Sequence, residues 1–293
     1  MLYVKYEAKT GNTGHSSTYR HIAISAHGHI GLSSPSMALV LSYLKYLLRA
    51  GNAHGLHSPF VYQLYNEVIN DQKHYYAYEK VESLRDRMLI SEEIIETKDF
   101  GTGKSQYPVR KSISFIARRF VASRKNSRLL FRLVNHFRPE YILEAGTSLG
   151  ITTSYLASAN SKATVYTLEG CPETARVARH NFRLLRLENI MSEIGEFGTS
   201  LPRVLAEMPR LDFAFLDGNH SKEPTLDYAE QCMKKMPAGG VLVIDDIHWS
   251  RGMEEAWDIL KNDHRVNQSI DLFQLGILFF REGSTKQQFI LRF

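Results

Sequence analysis

Cysteine is nearly absent: Cys171 and Cys232 are the only two in 293 residues, and they have no metal-ligand spacing. That argues against a disulfide framework, and both read as small buried or half-buried side chains in helical segments. Long apolar runs are missing too. No stretch approaches the ~20 residues that a membrane helix needs, and the N-terminus lacks the compact apolar core of a signal peptide. The expectation is a cytoplasmic protein with no membrane partner. Acids are absent from one region. Between Phe100 and Pro139 there is none, against ten bases: Lys104, Arg110, Lys111, Arg118, Arg119, Arg124, Lys125, Arg128, Arg132 and Arg138. Residues 1–139 carry 20 Lys+Arg against 10 Asp+Glu, and residues 140–293 carry 16 against 21. A basic front and an acidic rear suggest an acidic catalytic domain preceded by a part able to face an anionic substrate.

What is present is enough apolar material, 43% of the chain, to bury a full core. Residues 1–36, rich in Gly, Ser, Thr and His (His15, His21, His27, His29), show no hydrophobic period and read as a disordered leader. Residues 37–109 read as a helical cap. Leu39, Leu41, Leu44, Leu47 and Leu48 predict a helix over 37–49 closed by Gly51. Ser58 and Pro59 then supply a cap and first residue for a second helix with Phe60, Leu64 and Val68 on one face. His54 and His57 are read as packed beside that cap rather than as ligands. Tyr75-Tyr-Ala-Tyr78 leads into a charged helix expected to reach Glu96, and Asp99–Ser105 into a polar glycine loop. Two further helices are predicted from the stripes Ile113/Ile116/Phe120 and Leu130/Leu133/Phe137. Their bases are either a solvated face or a surface for a phosphate- or carboxylate-bearing substrate, RNA at the extreme; the aromatic interleaving of single-strand binders is sparse.

From Tyr141 the pattern becomes regular. Tyr141-Ile-Leu-Glu-Ala-Gly-Thr-Ser-Leu-Gly150 is an apolar run that ends in an acid and opens into a glycine-spaced turn. It lacks the first glycine of the dinucleotide fingerprint, which disfavours an NAD(P) dehydrogenase, and has no Lys-Ser/Thr for a P-loop. Further strands are expected at 163–168, 189–194, 211–216 and 240–244, separated by helices, so the sheet should be parallel and doubly wound. Three short strands at 269–273, 276–280 and 288–293 lie too close together for helical crossovers and are expected to pair antiparallel. Every parallel strand ends in an acid or a glycine turn, so Glu144, Gly146, Glu169, Gly195, Glu196, Asp217, Asp245 and Asp246 should share one edge, where open α/β sheets bind ligands. Glu169, 25 positions after Glu144, is placed to accept hydrogen bonds from ribose hydroxyls.

The ordered set Glu144-x-Gly-x-x-x-Gly150, Glu169, Gly195-Glu196, Asp217-Gly-Asn-His220 and Gly239-Gly-x-Leu-Val-Ile-Asp-Asp246 resembles class I S-adenosylmethionine-dependent methyltransferases, most of all the catechol O-methyltransferase-like group. The resemblance covers about residues 110–293. It implies an α/β, mostly parallel, seven-stranded Rossmann-like sheet with antiparallel C-terminal strands, preceded by N-terminal helices. It also implies a methyltransferase domain over 110–293 that acts on oxygen of a small or medium acceptor. By position, Glu144, Gly146, Thr147 and Gly150 would line the methionine part of the cofactor, Glu169 its ribose, and Gly195, Glu196 and Phe197 the adenine edge, with Asp217 closing the site. In the catechol-type enzymes the acid at Asp217 and an Asp-Asn pair bind Mg²⁺. Here the pair is Asp245-Asp246, so the three acids read either as ligands for Mg²⁺ or Ca²⁺ or as a metal-free site with one carboxyl protonated. His220 stands where those enzymes carry a basic lysine and is the first candidate base, with His248 the second. Trp249 is read as an acceptor-pocket wall or a core residue. An RNA methyltransferase using the 104–138 bases and a catalytically silent binding module are the alternatives.

Overall fold

The apolar runs become strands and the amphipathic stretches become helices in a computed structural model of the chain, which describes residues 37–98 and 108–293. The predicted leader and the whole of the 99–105 loop lie outside the described residues. At the N-terminal end come α1 (Met37–Arg49), α2 (Pro59–Leu64), whose chain continues as a π-helical turn over Tyr65–Ile69, and α3 (Tyr76–Leu89). Ser58 caps α2 by accepting from the Val61 amide, with Pro59 as the first helical residue.

α3 stops at Leu89, short of the expected Glu96. Ile94–Thr97 is instead β1, antiparallel to β2 (Val109–Ser112) in a separate two-stranded sheet. The alternation explains the difference: Ile95 and Thr97 are buried while Ile94 and Glu96 are exposed, a period of two that a helix cannot satisfy. α4 (Ile113–Arg119) and α5 (Arg124–Phe137) follow, capped by Ser112 and Ser123.

The remaining elements are β3 (Tyr141–Ala145), α6 (Ile151–Ala159), β4 (Thr164–Glu169), α7 (Pro172–Leu184), β5 (Ile190–Ile194), α8 (Phe197–Glu207), β6 (Phe213–Leu216), α9 (Lys222–Lys235), β7 (Val241–Asp245), α10 (Arg251–Asn262), β8 (Gln268–Asp271), β9 (Leu275–Phe279) and β10 (Gln287–Ile290). The main sheet has the order β10-β8-β9-β7-β6-β3-β4-β5. The mostly parallel Rossmann-like architecture is as expected, with β9 antiparallel to both neighbours. Two details differ. The sheet has eight strands rather than seven, and β10 pairs parallel to β8, not antiparallel. After the β8–β9 hairpin the chain returns over residues 280–286 past β8 to its outer edge, which restores the direction of β8.

The sheet is covered on both faces. Leu143 and Ala145 of β3 pack with α8, α9 and α10, while Ile142 packs with the helices before β3. α2 and α3 contribute Val61, Leu64, Val81 and Leu84 to the same cluster as Phe213 and Val243 of the strands, so this part of the N-terminal cap has no separate core. The nine of the ten bases that lie among the described residues do not form one exposed stripe. Arg132 is buried and donates to the carbonyls of Val68 (2.6 Å) and Ile69 (3.1 Å), oxygens at the π-turn's end that have no helical donor. Arg124 pairs with Glu82 and Asp86, and the Arg128 guanidinium and Lys125 ammonium lie over the rings of Tyr78 and Phe293. These cations fasten α5 to the cap and to the C-terminal end of the chain.

Candidate active site

A cleft of about 330 Å³ opens at the C-terminal ends of β3, β4, β6 and β7, walled on one side by β1, β2 and α4. Its volume lies within the range of small-molecule sites. Gly146, Glu169, Glu196, Phe197, Asp217, His220, Asp245 and Asp246, all expected from the sequence, line it.

The turn after β3 is built by close backbone approach. Gly146 has φ +113, and a β-carbon there would stand 2.0 Å from the Asp217 carbonyl oxygen. The glycine is thus needed for packing against the end of β6, not only to admit a ligand. Beyond it, Ser148 at φ 48 turns its amide onto Glu169, which accepts from Ser148 N at 2.8 Å and from Cys171 N at 2.9 Å. Burial raises the Glu169 carboxyl above its ordinary value, against the pull of these amides. Its oxygens are thereby fixed at the cleft wall.

Glu144, assigned above to the cofactor's methionine part, does not reach the cleft. Its side chain is fully buried on the opposite side of the strand from Leu143 and Ala145. One oxygen, Oε2, accepts from Thr167 at 2.6 Å and from Thr153. Thr147 Oγ1 in turn lies 2.6 Å from Thr167 Oγ1, so Thr147 also faces inward. The other Glu144 oxygen, Oε1, has no protein partner. Desolvation pushes this carboxyl up to about 8, despite the two threonine hydroxyls. Gly150 opens α6 at φ +81 against the Phe182 ring, behind the cleft, and Gly195 turns the chain after β5.

The helix after β5 starts earlier than the sequence suggested, at Phe197 rather than Leu201. Glu196 becomes its cap position, and the Phe197 ring closes over Gly218, where a β-carbon would meet it at 2.4 Å. Gly218 and Tyr228, whose ring meets Phe197 edge-on at 6.0 Å, are site residues the sequence reading missed. The Gly in Asp217-Gly-Asn-His220 was a usable signal, since a glycine directly after a strand-ending acid marks close approach.

Asp217 and Asp245 are both raised well above the ordinary carboxyl range, first by burial and then by neighbouring negative charge: Asp245 and Asp246 act on Asp217, and Asp246 acts on Asp245. Asn219 and Asp246 hold φ values of 50 and 53, so both strand-end turns carry the strained backbone typical of functional loops. His220 Nε2 lies 3.6 Å from Asp217 Oδ1 and is partly exposed to the cleft. Trp249 and Gln274 complete the wall, Gln274 held by Asn126 at 3.1 Å.

His248, the second candidate base, is not in the cleft. Its Nε2 sits 2.8 Å from Asp271 and its Nδ1 3.1 Å from Glu254, with the ring stacked on Phe273. Burial opposes protonation of this imidazole, but Asp271 and Glu254 outweigh it and the pKa is raised. With both nitrogens engaged it has no free atom for an acceptor. The three acids also depart from the metal reading. Among the described residues no three His, Cys, Asp or Glu side chains gather to hold a metal ion.

Residues 143–247 match the family described as a methyltransferase domain. The match runs from β3 to the turn after β7, about a third of the chain. Among curated relatives it is 29% identical over 137 residues to the O-methyltransferase imqG of Aspergillus flavus, across 44% of this chain and 54% of that protein. The chain thus spans about half the length of the curated relative it matches. Among solved structures, the O-methyltransferase from Bacillus cereus in complex with SAH covers 71% of this chain and 91% of its own, at 20% identity and a TM-score of 0.50. The O-methyltransferase TomG from Streptomyces achromogenes, in complex with SAM, covers the same shares at 17% identity and a TM-score of 0.51. At these identities the likeness is one of fold. The methyltransferase domain match ends at Ile247, so β8 to β10 and everything before Leu143 are described by the geometry alone.

Proposed function

We propose that the cleft binds S-adenosylmethionine and that the protein methylates a hydroxyl oxygen of a small-molecule acceptor. The observation that carries this reading is the placing of Glu169 and Asp217 on either side of the Gly146 turn in one cleft, with Glu196 and Phe197 beside them. This donor set suits the group. Glu169, held by two amides, presents carboxylate lone pairs to a ribose diol, and the Phe197 ring offers a face to a purine. When bound, the cofactor supplies an electrophilic methyl on a sulfonium sulfur. The resemblance of the relatives and neighbours to O-methyltransferases supports oxygen as the atom methylated.

The chain's own contribution is position and proton transfer. The acceptor oxygen must be held about 3 Å from the methyl carbon, in line with the breaking bond, and the cleft would serve this by holding both partners. With an acceptor bound, His220 Nε2 would take the hydroxyl proton as the methyl group is transferred, and Asp217 Oδ1 lies 3.6 Å from that nitrogen. Asp217 and Asp245, both with carboxyls raised by burial and by neighbouring negative charge, line the end of the cleft beside His220. Because the acids do not fit a metal as they stand, no step is routed through one.

The test is calorimetric titration with S-adenosylhomocysteine, followed by a search for S-adenosylhomocysteine release from S-adenosylmethionine with hydroxylated acceptors. Binding without turnover on any acceptor would favour a silent binding module. Absence of binding would remove the reading.

A further inference from the structure

α1 is apolar on two opposite sides. Its inner side carries Tyr43, Tyr46, Leu47 and Ala50 and packs on Phe273 and Ile290, with the Tyr43 and Tyr46 rings 4.8 and 5.3 Å from that of Phe273. Two hydrogen bonds fix this side, from Ser42 to Glu254 and from Tyr46 to the Leu291 carbonyl. The outer side has no such cover among the described residues. Met37, Leu41, Leu44 and Leu48 recur at intervals of four, three and four residues, which sets them in one stripe along the helix. They are 75, 51, 48 and 88% exposed. Single exposed leucines are ordinary on a protein surface, but a continuous stripe of four large apolar side chains marks a contact face.

Charge indicates what that face meets. Lys45 and Arg49, one helical turn apart beside the stripe, are both exposed, and α1 has no acid. A second copy packed stripe to stripe would bring no acid of α1 against these cations. Four side chains along about 17 Å of helix also fall short of the roughly 20–30 residues a side of a stable protein interface. Residues 1–36 have no hydrophobic period with which to match the stripe. An anionic lipid surface answers both features, because acyl chains take up the leucines while acidic headgroups face the cations. We propose that α1 docks the protein on an anionic membrane surface, lying in the plane of the headgroups with its leucine stripe inserted and Lys45 and Arg49 at headgroup level. Among the described residues no helix is long and apolar enough to cross a membrane, and a surface helix need not be, since it inserts one face only. The expectation of no membrane partner rested on the want of a spanning segment, and peripheral docking does not require one. Phe273, on which α1 is seated, is followed by Gln274 of the cleft wall, so the docked helix stands next to a turn that borders the cleft. The inference goes beyond the methyltransferase reading and stands without it.

The experiment floats the full chain with vesicles of phosphatidylcholine, with and without phosphatidylglycerol. The parent should bind the anionic vesicles about tenfold more strongly than the neutral ones, the scale of two cations near a charged leaflet. In Leu41→Gln/Leu44→Gln/Leu48→Gln binding should fall by about 100-fold or more, with the melting temperature at the parental value because these side chains face away from the body. Lys45→Glu/Arg49→Glu keeps the leucines and should lose the preference for anionic vesicles. A parent that floats with neither vesicle overturns the docking face, and so does a leucine variant that binds as the parent does. Sedimentation that finds a parental dimer, split by the leucine variant, would assign the stripe to a second copy and overturn the proposal. A leucine variant that melts several degrees lower would assign the stripe to the chain's own packing, with the same consequence.

Discussion

The carbonyl oxygen of Asp217 occupies the space where a side chain on Gly146 would begin. The 2.0 Å separation, with φ +113 at the glycine, ties the β3 turn to the end of β6. Gly146→Ala should therefore destabilise the fold by about 3 kcal/mol, through strain and forced displacement of the Asp217 loop. Chemical denaturation of parent and variant measures this. A variant of parental stability would mean that the two strand ends do not meet this closely.

Glu169→Gln tests the ribose contact. The amide keeps the shape but replaces one acceptor oxygen with a donor facing the Ser148 or Cys171 amide. Affinity for S-adenosylhomocysteine should fall by about 10–100-fold, the scale of a lost hydrogen bond to a charged group. A calorimetric constant equal to the parent's would remove Glu169 from the cofactor site.

Glu144 predicts a pH dependence. Its carboxyl titrates at about 8 in the fold against an ordinary 4.5, so between those values the native state holds a proton that the unfolded chain has released. Its contribution is present in full below the unfolded value and is lost as pH rises through about 8. The slope approaches about 1.4 kcal/mol per pH unit at mid-window. Urea midpoints measured from pH 5 to 8 should fall more steeply in the parent than in Glu144→Gln, which cannot ionise. Parallel curves would contradict a protonated Glu144.

The two histidines should separate by readout. His220→Ala should lower turnover by about 10²–10⁴-fold with little change in cofactor affinity. His248→Ala should leave turnover near the parental value and lower stability by about 1–3 kcal/mol, because the buried Asp271 loses its partner. Since the His248 pKa is raised, its charged pairing contributes below the unfolded value of about 6.5 and is lost as pH rises through the folded value. The stability gap between parent and His248→Ala should narrow accordingly. Equal losses of turnover in the two variants would contradict this division.

The strands of the main sheet were legible because each is an apolar run closed by an acid or glycine, a pattern set by burial on both faces. The direction of β10 was not, since linker length alone cannot tell a hairpin from a return past a neighbour. β1 was hidden by its charged neighbours, although Ile94-Ile-Glu-Thr97 carries the β-branched alternation of a strand. In the cleft, one-edge logic placed Glu169, Asp217 and Asp246 well. It failed for Glu144 because a strand's alternation sends that side chain into the layer below. It failed for His248 because its partners Glu254 and Asp271 come from distant elements, and no local spacing announces them.

The joining of α1 to the far end of the chain bears on how the protein is made. Tyr46 donates to the Leu291 carbonyl, Arg292 reaches the Ala50 carbonyl at 3.2 Å, and the Arg292 amide donates to the Gly51 carbonyl at 3.0 Å. These partners are more than 240 residues apart in synthesis. During translation α1 must wait for Phe273 to give its tyrosines a ring to pack on, and for β10 and the residues after it to complete the seam. The seam between the first and last described elements therefore closes late, and a nascent chain stalled before residue 273 would expose the Tyr43 and Tyr46 face to chaperones.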